Sequence, residues 1–418
     1  MASQKDIIKP AKRLSQVSRR SIWVEFGKLN QQYKPVNVGQ GFPDYSPPDY
    51  LTETLATTIK SDNDLIHQYT RQQGHPRLVK NIASLYSKLH GRDIQAMTEV
   101  LVTNGGYGSI FSVISTFVDE GDEVIIIEPI FGPYMNVITY NGGIPVGIPL
   151  RPSEDNWRSS KGWKIDRKEL EAAFSPKTKA LVVNTPNNPL GKVFERDELE
   201  MIAEIVKKHN VLCISDEVYE WLIYPPNEHI RIATLPGMWE RTVTISSAGK
   251  AFSATGWKIG WSIGPENLIS HIAAFHRNAV SLLPTITQEA VAIALEREAK
   301  LLGTDESYFL EIAASLLKKR DFEVKILRAA GFDPVVPDGG YFIIADSSRF
   351  GRTFPEGASD EPYDAQFCKW MIREKGISTI PPSGFYYQHG KTAEKFIRFC
   401  FCKKDSTLKM LADALNKW

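Results

Sequence analysis

The sequence predicts an α/β fold in which helices flank a mainly parallel sheet, followed by a smaller α+β domain. Between residues 99 and 247, short apolar runs alternate with helical patterns, which is typical of strands joined by crossover helices and therefore of parallel pairing. The runs are EVLVTN (99–104), EVIIIEP (123–129), KALVVNTP (179–186), VLCISDEVY (211–219) and TVTISS (242–247). A further strand is expected at 258–263, and a helix over 195–209 has one apolar face that would cover the sheet.

The second domain follows a long helical pattern at residues 305–330, which ends near Gly331 and is long enough to bridge two lobes. After it we expect a strand at GYFIIAD (340–346), a helix around 364–375, a strand at IRFCFC (397–402) and a terminal helix. The predicted division is an N-terminal arm with part of the small domain (1–45), a large domain (46–303), and an interdomain helix with the small domain (304–418).

Charge and composition exclude several classes of function. The 418 residues include 50 Lys and Arg against 49 Asp and Glu, so we expect no field that attracts nucleic acid or an anionic membrane. Any anion site must therefore be local. No apolar stretch approaches the ~20 residues that a membrane-spanning helix needs.

The cysteines and the N-terminus bear on the compartment. Four cysteines have neither CxxC spacing nor neighbouring histidines, which indicates reduced core thiols and no metal site; they are Cys213, Cys368, Cys400 and Cys402. Residues 1–20 carry six basic side chains and one acidic one, a faint likeness to a mitochondrial presequence. We expect an ordinary arm and a cytoplasmic protein, with a mitochondrial form as the alternative.

Lys250 is the most informative residue, because small residues surround it in SSAGKAFSATGWK (246–258) and leave room for a bulky partner. Such a lysine suits a covalent bond to a carbonyl cofactor. Lys258 could hold an anionic group of that cofactor together with Ser247, although a lone lysine is more often a surface charge.

Polar residues follow two of the predicted strands, where ligands bind in open α/β sheets. Asp216 could pair with a protonated pyridine nitrogen, and Tyr219 could bind the 3-oxygen of the same ring. An aspartate that caps a turn is the alternative. Asn184 and Asn188 lie in a turn stiffened by prolines, which a plain loop would also explain.

A glycine pair follows the strand at 99–104. Gly106 and Tyr107 precede a helix expected to begin near Gly108, and free N–H groups there suit a phosphate, although a Gly-Gly turn alone is a weak signal. The spacing differs from the GxGxxG of dinucleotide-binding proteins. Phe131 could stack on a flat ring, but most such aromatics belong to the core.

Arg398 lies in a strongly apolar strand, where a cation is costly unless paired. A substrate carboxylate would pair with it through two hydrogen bonds; an internal salt bridge is the alternative. Gly41, in the turn VGQGFPD, would let backbone approach a ligand. Trp23 and Tyr69 have only local interpretations, as core and turn aromatics.

With Lys250, Asp216, Asn188 and Arg398 in this order, the chain resembles the class I/II aminotransferases of fold type I, which depend on pyridoxal phosphate. Within them it is similar to the group of kynurenine aminotransferase, glutamine transaminase K and cysteine-S-conjugate β-lyase. The strings that carry this resemblance include VNVGQGFPDY, NTPNNPLGKVF, SDEVYEWLIY and SAGKAFSATGWKIGW.

The resemblance implies a role for each candidate residue. Lys250 would bond to the cofactor, Asp216 would pair with its ring nitrogen, Asn188 and Tyr219 would contact the 3-oxygen, and Phe131 would stack on the ring. Gly106, Tyr107, Ser247 and Lys258 would hold the phosphate, with Tyr69 reaching in from a second subunit of a homodimer. Arg398, Gly41 and Asn188 would hold the substrate carboxylate, and Trp23 would line the side-chain pocket.

One segment departs from the family. In HRNAVSLLPT (276–285), Ser281 and Leu282 stand where relatives often carry an aromatic residue and a histidine from the partner subunit. This implies a smaller wall and puts a preference for kynurenine in doubt.

The expected function is transfer of an amino group from kynurenine, glutamine or another aromatic or sulfur-containing amino acid to an α-keto acid. A cysteine-S-conjugate β-lyase on the same scaffold is the alternative. A regulator that binds the cofactor would need a fused DNA-binding unit, for which the ~20 residues before the resemblance are too few.

Overall fold

The computed structural model describes residues 11–16, 21–354 and 361–417. Most of the basic N-terminal arm, and with it the likeness to a presequence, lies outside the described residues.

Fourteen strands and fourteen α-helices are found in the described ranges. The strands are β1 (Val36–Asn37), β2 (Val100–Asn104), β3 (Glu123–Glu128), β4 (Ile144–Pro149), β5 (Arg151–Pro152), β6 (Trp163–Lys164), β7 (Thr178–Asn184), β8 (Leu212–Asp216), β9 (Thr242–Ser247), β10 (Ile259–Ile263), β11 (Asp333–Val335), β12 (Phe342–Asp346), β13 (Ile377–Ser378) and β14 (Phe396–Cys400). The helices are α1 (Ile22–Tyr33), α2 (Asp49–Ile59), α3 (Pro76–His90), α4 (Gly105–Phe117), α5 (Pro133–Tyr140), α6 (Arg167–Ala172), α7 (Arg196–His209), α8 (Ala248–Ala251), α9 (Glu266–Ala279), α10 (Thr285–Leu301), α11 (Tyr308–Ala329), α12 (Tyr363–Trp370), α13 (Gly390–Ala393) and α14 (Asp405–Leu415).

The central sheet has seven strands in the order β2-β10-β9-β8-β7-β3-β4. β10 is antiparallel to both neighbours, and the other pairs are parallel. This confirms the predicted α/β class and every strand expected between 99 and 263. The sequence did not predict β4, whose run IPVGIP contains two prolines; such a strand is tolerated here because it lies at the sheet edge.

Helices cover both faces of this sheet. On one face α4 and α9 contribute Val113 and Ile269 to a core cluster with the sheet residues Val182 and Val243. On the other face α7 buries its apolar stripe, including Leu199, against β7 and β8. α7 confirms the helix predicted over 195–209. The two apolar layers hold the carboxyl ends of the parallel strands at one edge.

A smaller antiparallel sheet, β11-β12-β14, packs against α11 and α12. The predicted long helix, the strand at 340–346 and the terminal helix are confirmed. α11 begins at Tyr308 rather than 305, because the Ser307 side chain caps its first turn. β14 ends at Cys400, two residues before the predicted end.

All four cysteines are free and buried, as the sequence predicted. Burial raises the pKa of the thiol of each of them. No helix within the described ranges has both the length and the apolar character needed to cross a membrane.

Candidate active site

The carboxyl ends of β7, β8 and β9 border a cavity of about 470 Å³. Its lining also includes the start of α4, the turn before α2, and side chains from β12 and β14. The lining residues are Trp23, Gln40, Gly41, Phe42, Gly105, Gly106, Tyr107, Ile110, Phe131, Pro133, Asn184, Asn188, Asp216, Val218, Tyr219, Ser247, Gly249, Lys250, Thr255, Lys258, Phe342 and Arg398. The fold therefore brings together residues that are up to 375 positions apart, from Trp23 to Arg398.

Lys250 projects into this cavity from α8, directly after β9. Its Nζ donates a hydrogen bond to the Tyr341 hydroxyl at 2.5 Å. Burial lowers the pKa of Lys250 to about 8, because the ammonium form loses its hydration. An amine with such a pKa is partly neutral near physiological pH and can act as a nucleophile or base.

Asp216 ends β8 and is buried. The Tyr134 hydroxyl donates to its Oδ2, and the Val218 N–H donates to Oδ1 at 3.3 Å. Burial raises the pKa of Asp216 to about 6, while the Tyr134 and Val218 hydrogen bonds and the nearby Lys250 act in the opposite direction. The carboxylate thus caps its own turn, as the alternative interpretation held, and still lines the cavity.

One end of the cavity is suited to an anion. α4 begins at Gly105 rather than near Gly108, so the glycine pair forms its first turn, where N–H groups have no partner within the helix. Gly105 has φ +70°, a conformation that favours glycine, and a Cβ there would lie 3.1 Å from Lys258 Nζ. No carboxylate of the described residues lies within 4.0 Å of Lys258 Nζ. Lys258 is exposed, Ser247 is buried, and both line the cavity.

Arg398 lies at the other end of the cavity and is only 1% exposed. Its guanidinium donates to Asn188 Oδ1 at 3.1 Å and to the Gly39 carbonyl at 2.8 Å, while Nε has no partner. No acidic side chain in the described part of the chain pairs with it, so the salt-bridge alternative is wrong there. Burial lowers the pKa of Arg398 to about 10. A buried cation with an unused donor fits a ligand carboxylate.

Three further predicted residues lie in the same cavity. The Asn188 N–H is held by Asn184 Oδ1 at 2.9 Å, so the two asparagines fix one turn. Tyr219 is buried, and burial raises the pKa of its hydroxyl. Phe131 lines the cavity and also packs against the core cluster on that face, where it meets Tyr134 edge-on with ring centroids 5.7 Å apart.

The mouth of the cavity carries Gly41 and Trp23. A Cβ at Gly41 would lie 2.5 Å from Phe342 Cζ, which explains a glycine at this position. Trp23 is not a core residue, because its ring is partly exposed and faces Arg398 at 5.7 Å from the ring centroid.

Three residues singled out from the sequence do not line the cavity. Tyr69 is 91% exposed in the single chain. Ser281 is exposed and has a left-handed φ of +69°, and Leu282 follows it in the short connection between α9 and α10.

Sequence reasoning missed two tyrosines that touch the central groups, Tyr134 at Asp216 and Tyr341 at Lys250. It also missed the apolar lining from Phe42, Pro133 and Phe342. Nothing in the local pattern separates these residues from core aromatics, because only the tertiary fold brings them to the polar groups.

Comparison with known proteins agrees with this geometry. The family model "Aminotransferase class I and II" matches residues 33–415. Kynurenine--oxoglutarate transaminase 1 of Mus musculus is 49% identical over 404 residues, which cover 95% of both chains. Kynurenine--oxoglutarate transaminase 3 of Homo sapiens is 49% identical over 401 residues, covering 95% of this chain and 88% of the human protein. The solved structure of Bna3p from Saccharomyces cerevisiae, a candidate kynurenine aminotransferase, has a TM-score of 0.91 at 33% identity and covers 98% of both chains.

The chain belongs to the class I and II aminotransferases, which confirms the resemblance seen in the sequence. It is an aminotransferase that depends on pyridoxal phosphate. The matched relatives are transaminases, so the comparisons do not favour the β-lyase alternative.

Proposed function

We propose that this aminotransferase moves the amino group of kynurenine, glutamine or another aromatic or sulfur-containing amino acid to an α-keto acid such as oxoglutarate. The printed names of the relatives support this donor and acceptor pair. The observation that carries the proposal is one cavity lined by a lysine of lowered pKa, a buried carboxylate, the first turn of α4 and an arginine whose Nε has no hydrogen-bond partner.

We propose that the cofactor is held at three points of this cavity. Its phosphate would bind the N–H groups of Gly106 and Tyr107, with Ser247 and Lys258 supplying a hydroxyl and a charge. Lys258 is available to the phosphate, because no carboxylate of the described residues lies within 4.0 Å of its Nζ. Tyr69 of a partner subunit would complete this end of the site.

The remaining contacts would hold the ring. Asp216 would face the ring nitrogen, Tyr219 and Asn188 would bind the 3-oxygen, and Phe131 would lie against the ring face. Their shared position along the cavity lining supports these assignments.

When bound, pyridoxal phosphate supplies a carbonyl that condenses with amines and a ring that accepts an electron pair. Lys250 Nζ would bond to this carbonyl, give way to the donor amine, and then take the proton from the donor Cα. Its pKa of about 8 supports this, because the released amine can be neutral when it accepts the proton.

The donor would be oriented by its carboxylate. Arg398, with Asn188 and the Gly41 backbone, would bind this group, and its free Nε supports that role. Fixing the carboxylate orients the Cα–H bond relative to the ring, which is a contribution from positioning. Trp23, with Phe42 and Phe342, gives the side-chain end an aromatic wall suited to flat donors.

The division into 1–45, 46–303 and 304–418 and the assembly as a homodimer belong to the same proposal. The exposure of Leu65 (72%) and Tyr69 (91%) on one segment supports the dimer, since exposed apolar side chains that are grouped are typical of protein interfaces.

A half-reaction assay tests the proposal. The holo-protein is mixed with single amino acids without an acceptor, and the cofactor absorbance is followed. Kynurenine, glutamine, and the aromatic and sulfur-containing amino acids should convert it fastest, and formation of the matching keto acid should equal the cofactor converted.

The same assay on Arg398→Ala separates the roles. Conversion of α-amino acids should slow by about 30-fold or more, because removing one partner of a buried charged pair costs about 2–5 kcal/mol. Conversion of decarboxylated amines, which lack the bound group, should change little. Failure of kynurenine and glutamine to convert the cofactor, while a cysteine S-conjugate releases pyruvate and ammonia, would contradict amino transfer. Equal rates in Arg398→Ala and wild type would contradict the carboxylate site.

A further inference from the structure

Tyr341 connects the candidate lysine to the backbone near the cavity mouth. Its hydroxyl accepts a hydrogen bond from Lys250 Nζ at 2.5 Å and donates one to the Gly41 carbonyl at 2.9 Å. A hydroxyl has one donor and two acceptor sites, so both contacts form at once and their directions are fixed. With only 2% of Tyr341 exposed, water does not compete strongly for either.

The segment that Tyr341 contacts, residues 39–42, is fixed by its carbonyl groups, and we call it the carbonyl loop. All four of its carbonyl oxygens accept hydrogen bonds from side chains at or beside β12 and β14. Arg398 binds Gly39 at 2.8 Å, Lys403 binds Gln40 at 3.1 Å and Phe42 at 2.8 Å, and Tyr341 binds Gly41. The loop that lines the substrate end is thus held by the same region that carries Arg398.

The surroundings of Lys250 leave its amine few polar partners. Its Nζ lies 5.4 Å from the ring centroid of Tyr219 and 5.1 Å from that of Tyr341, and these two rings meet edge-on. Within the described part of the chain, the Tyr341 hydroxyl is the hydrogen-bond partner that Nζ has. Burial raises the pKa of Tyr341, so the phenol keeps its proton and remains a donor to Gly41.

We propose that Tyr341 is a positioning residue, which holds the ε-amine of Lys250 when this amine is not bonded to the cofactor and couples it to the carbonyl loop. This inference rests on the proposed role of Lys250. The hydroxyl keeps the amine within the cavity between its release and its return.

The experiment compares Tyr341→Phe with wild type in the full-length chain after removal and return of the cofactor. The rate at which Lys250 captures pyridoxal phosphate is measured against pH by absorbance, and borohydride reduction with peptide mapping identifies the labelled residue. An acceptor oxygen stabilises the ammonium more than the neutral amine. Loss of the Tyr341 hydroxyl should therefore lower the pKa of Lys250. The pH at which the capture rate is half-maximal should fall by about one unit.

A second readout follows the half-reaction with a saturating donor. Tyr341→Phe should lower the limiting rate by about ten-fold, the effect of one lost hydrogen bond to a charged group, and change the half-saturating donor concentration less. Tyr224→Phe is the matched control. Its buried hydroxyl donates to the neighbouring Gly340 carbonyl, whereas Lys250 Nζ donates to Tyr341, so the midpoint of Tyr224→Phe should stay that of wild type.

Each outcome decides between the interpretations. An unchanged midpoint in Tyr341→Phe, or an equal shift in Tyr224→Phe, would overturn the proposal. So would a Tyr341→Phe chain that does not fold while Tyr224→Phe does, because the hydroxyl would then serve stability. Absence of label on Lys250 in wild type would instead refute the proposed role of that lysine.

Discussion

At the scale of single residues, burial favours the neutral forms of two groups whose charges are opposite, the Asp216 carboxylate and the Lys250 amine. The pKa of Asp216 rises to about 6 and that of Lys250 falls to about 8, in both cases because burial disfavours the charged form. Perturbed titratable groups that share one cavity are typical of active sites. Because both pKa values lie near neutral pH, a neighbour that shifts either of them changes the charge of that group.

Tyr134→Phe should shift the pH dependence on the acid side. The Tyr134 hydroxyl donates to the carboxylate of Asp216 and so lowers its pKa. Without this bond the pKa of Asp216 rises further, and the proposed charged partner of the ring nitrogen is lost at a higher pH as the solution is acidified. The acid midpoint of the half-reaction rate should move up by about half to one unit.

Tyr308→Phe provides the control for this measurement, because its buried hydroxyl pairs with Ser253 and does not line the cavity. An acid midpoint that is the same in Tyr134→Phe and wild type would show that Tyr134 does not set the charge of Asp216.

Arg398 shows how far residue-level prediction reaches. The apolar strand around it and the need for an anionic or polar partner could be read from the sequence. Which partner Arg398 takes could not be read from the sequence, because its partners Asn188 and Gly39 lie 210 and 359 positions away in the chain.

At the scale of elements, the start of α4 depends on close packing against β10. Gly260 of β10 pairs with Thr103 of β2, which leads into this helix. A Cβ at Gly260 would lie 2.5 Å from Gly105 C and 2.7 Å from Gly106 N. The first turn of α4 can approach the strand only because no side chain is present.

Gly260→Ala should therefore weaken cofactor binding. The added methyl group displaces the N–H groups of the first α4 turn, and overpacking of this kind costs about 1–3 kcal/mol. We expect the dissociation constant for pyridoxal phosphate to rise about five-fold or more, measured by absorbance titration of the chain after cofactor removal.

Gly27→Ala adds the same methyl group where no atom lies within 4 Å, and its affinity should equal that of wild type. An unaltered dissociation constant in Gly260→Ala would mean that α4 does not hold the phosphate.

The type and order of the long elements could be predicted because their hydrophobic periodicity is strong, as in α7 and β3. Errors occurred where local signals are weak. The proline-containing β4 has no strand signature, and glycines obscured the first turn of α4.

At the scale of the whole molecule, the site is proposed to be shared between two subunits. Tyr69 lies outside the cavity of its own chain, and Tyr107 in the first turn of α4 is itself partly exposed. A homodimer would explain both observations, because the partner surface would cover them.

Mixing an inactive variant with a weakened one tests this arrangement. If Tyr69 acts across the interface, each hybrid of a Tyr69→Ala chain with a Lys250→Ala chain contains one intact site. Random pairing makes half of the dimers hybrids, and each hybrid has one intact site of its two. Activity of the mixture should therefore reach about a quarter of wild type. Sedimentation of the mixture checks that dimers form.

No recovery on mixing, with dimers present, would place Tyr69 in the site of its own chain or outside any site. Each variant kept separate serves as the control and should remain inactive for Lys250→Ala and weakened for Tyr69→Ala.

The sequence by itself determined the α/β class, the order of the long elements and the candidate site residues, because periodicity and strand-end polarity are local properties. The tertiary structure decided which of these meet. It brought Arg398 to Asn188, Tyr134 to Asp216 and Tyr341 to Lys250, and it left Tyr69 outside. The physical reason is that burial and partner choice, which set charge and pKa, arise from contacts between segments far apart in the chain.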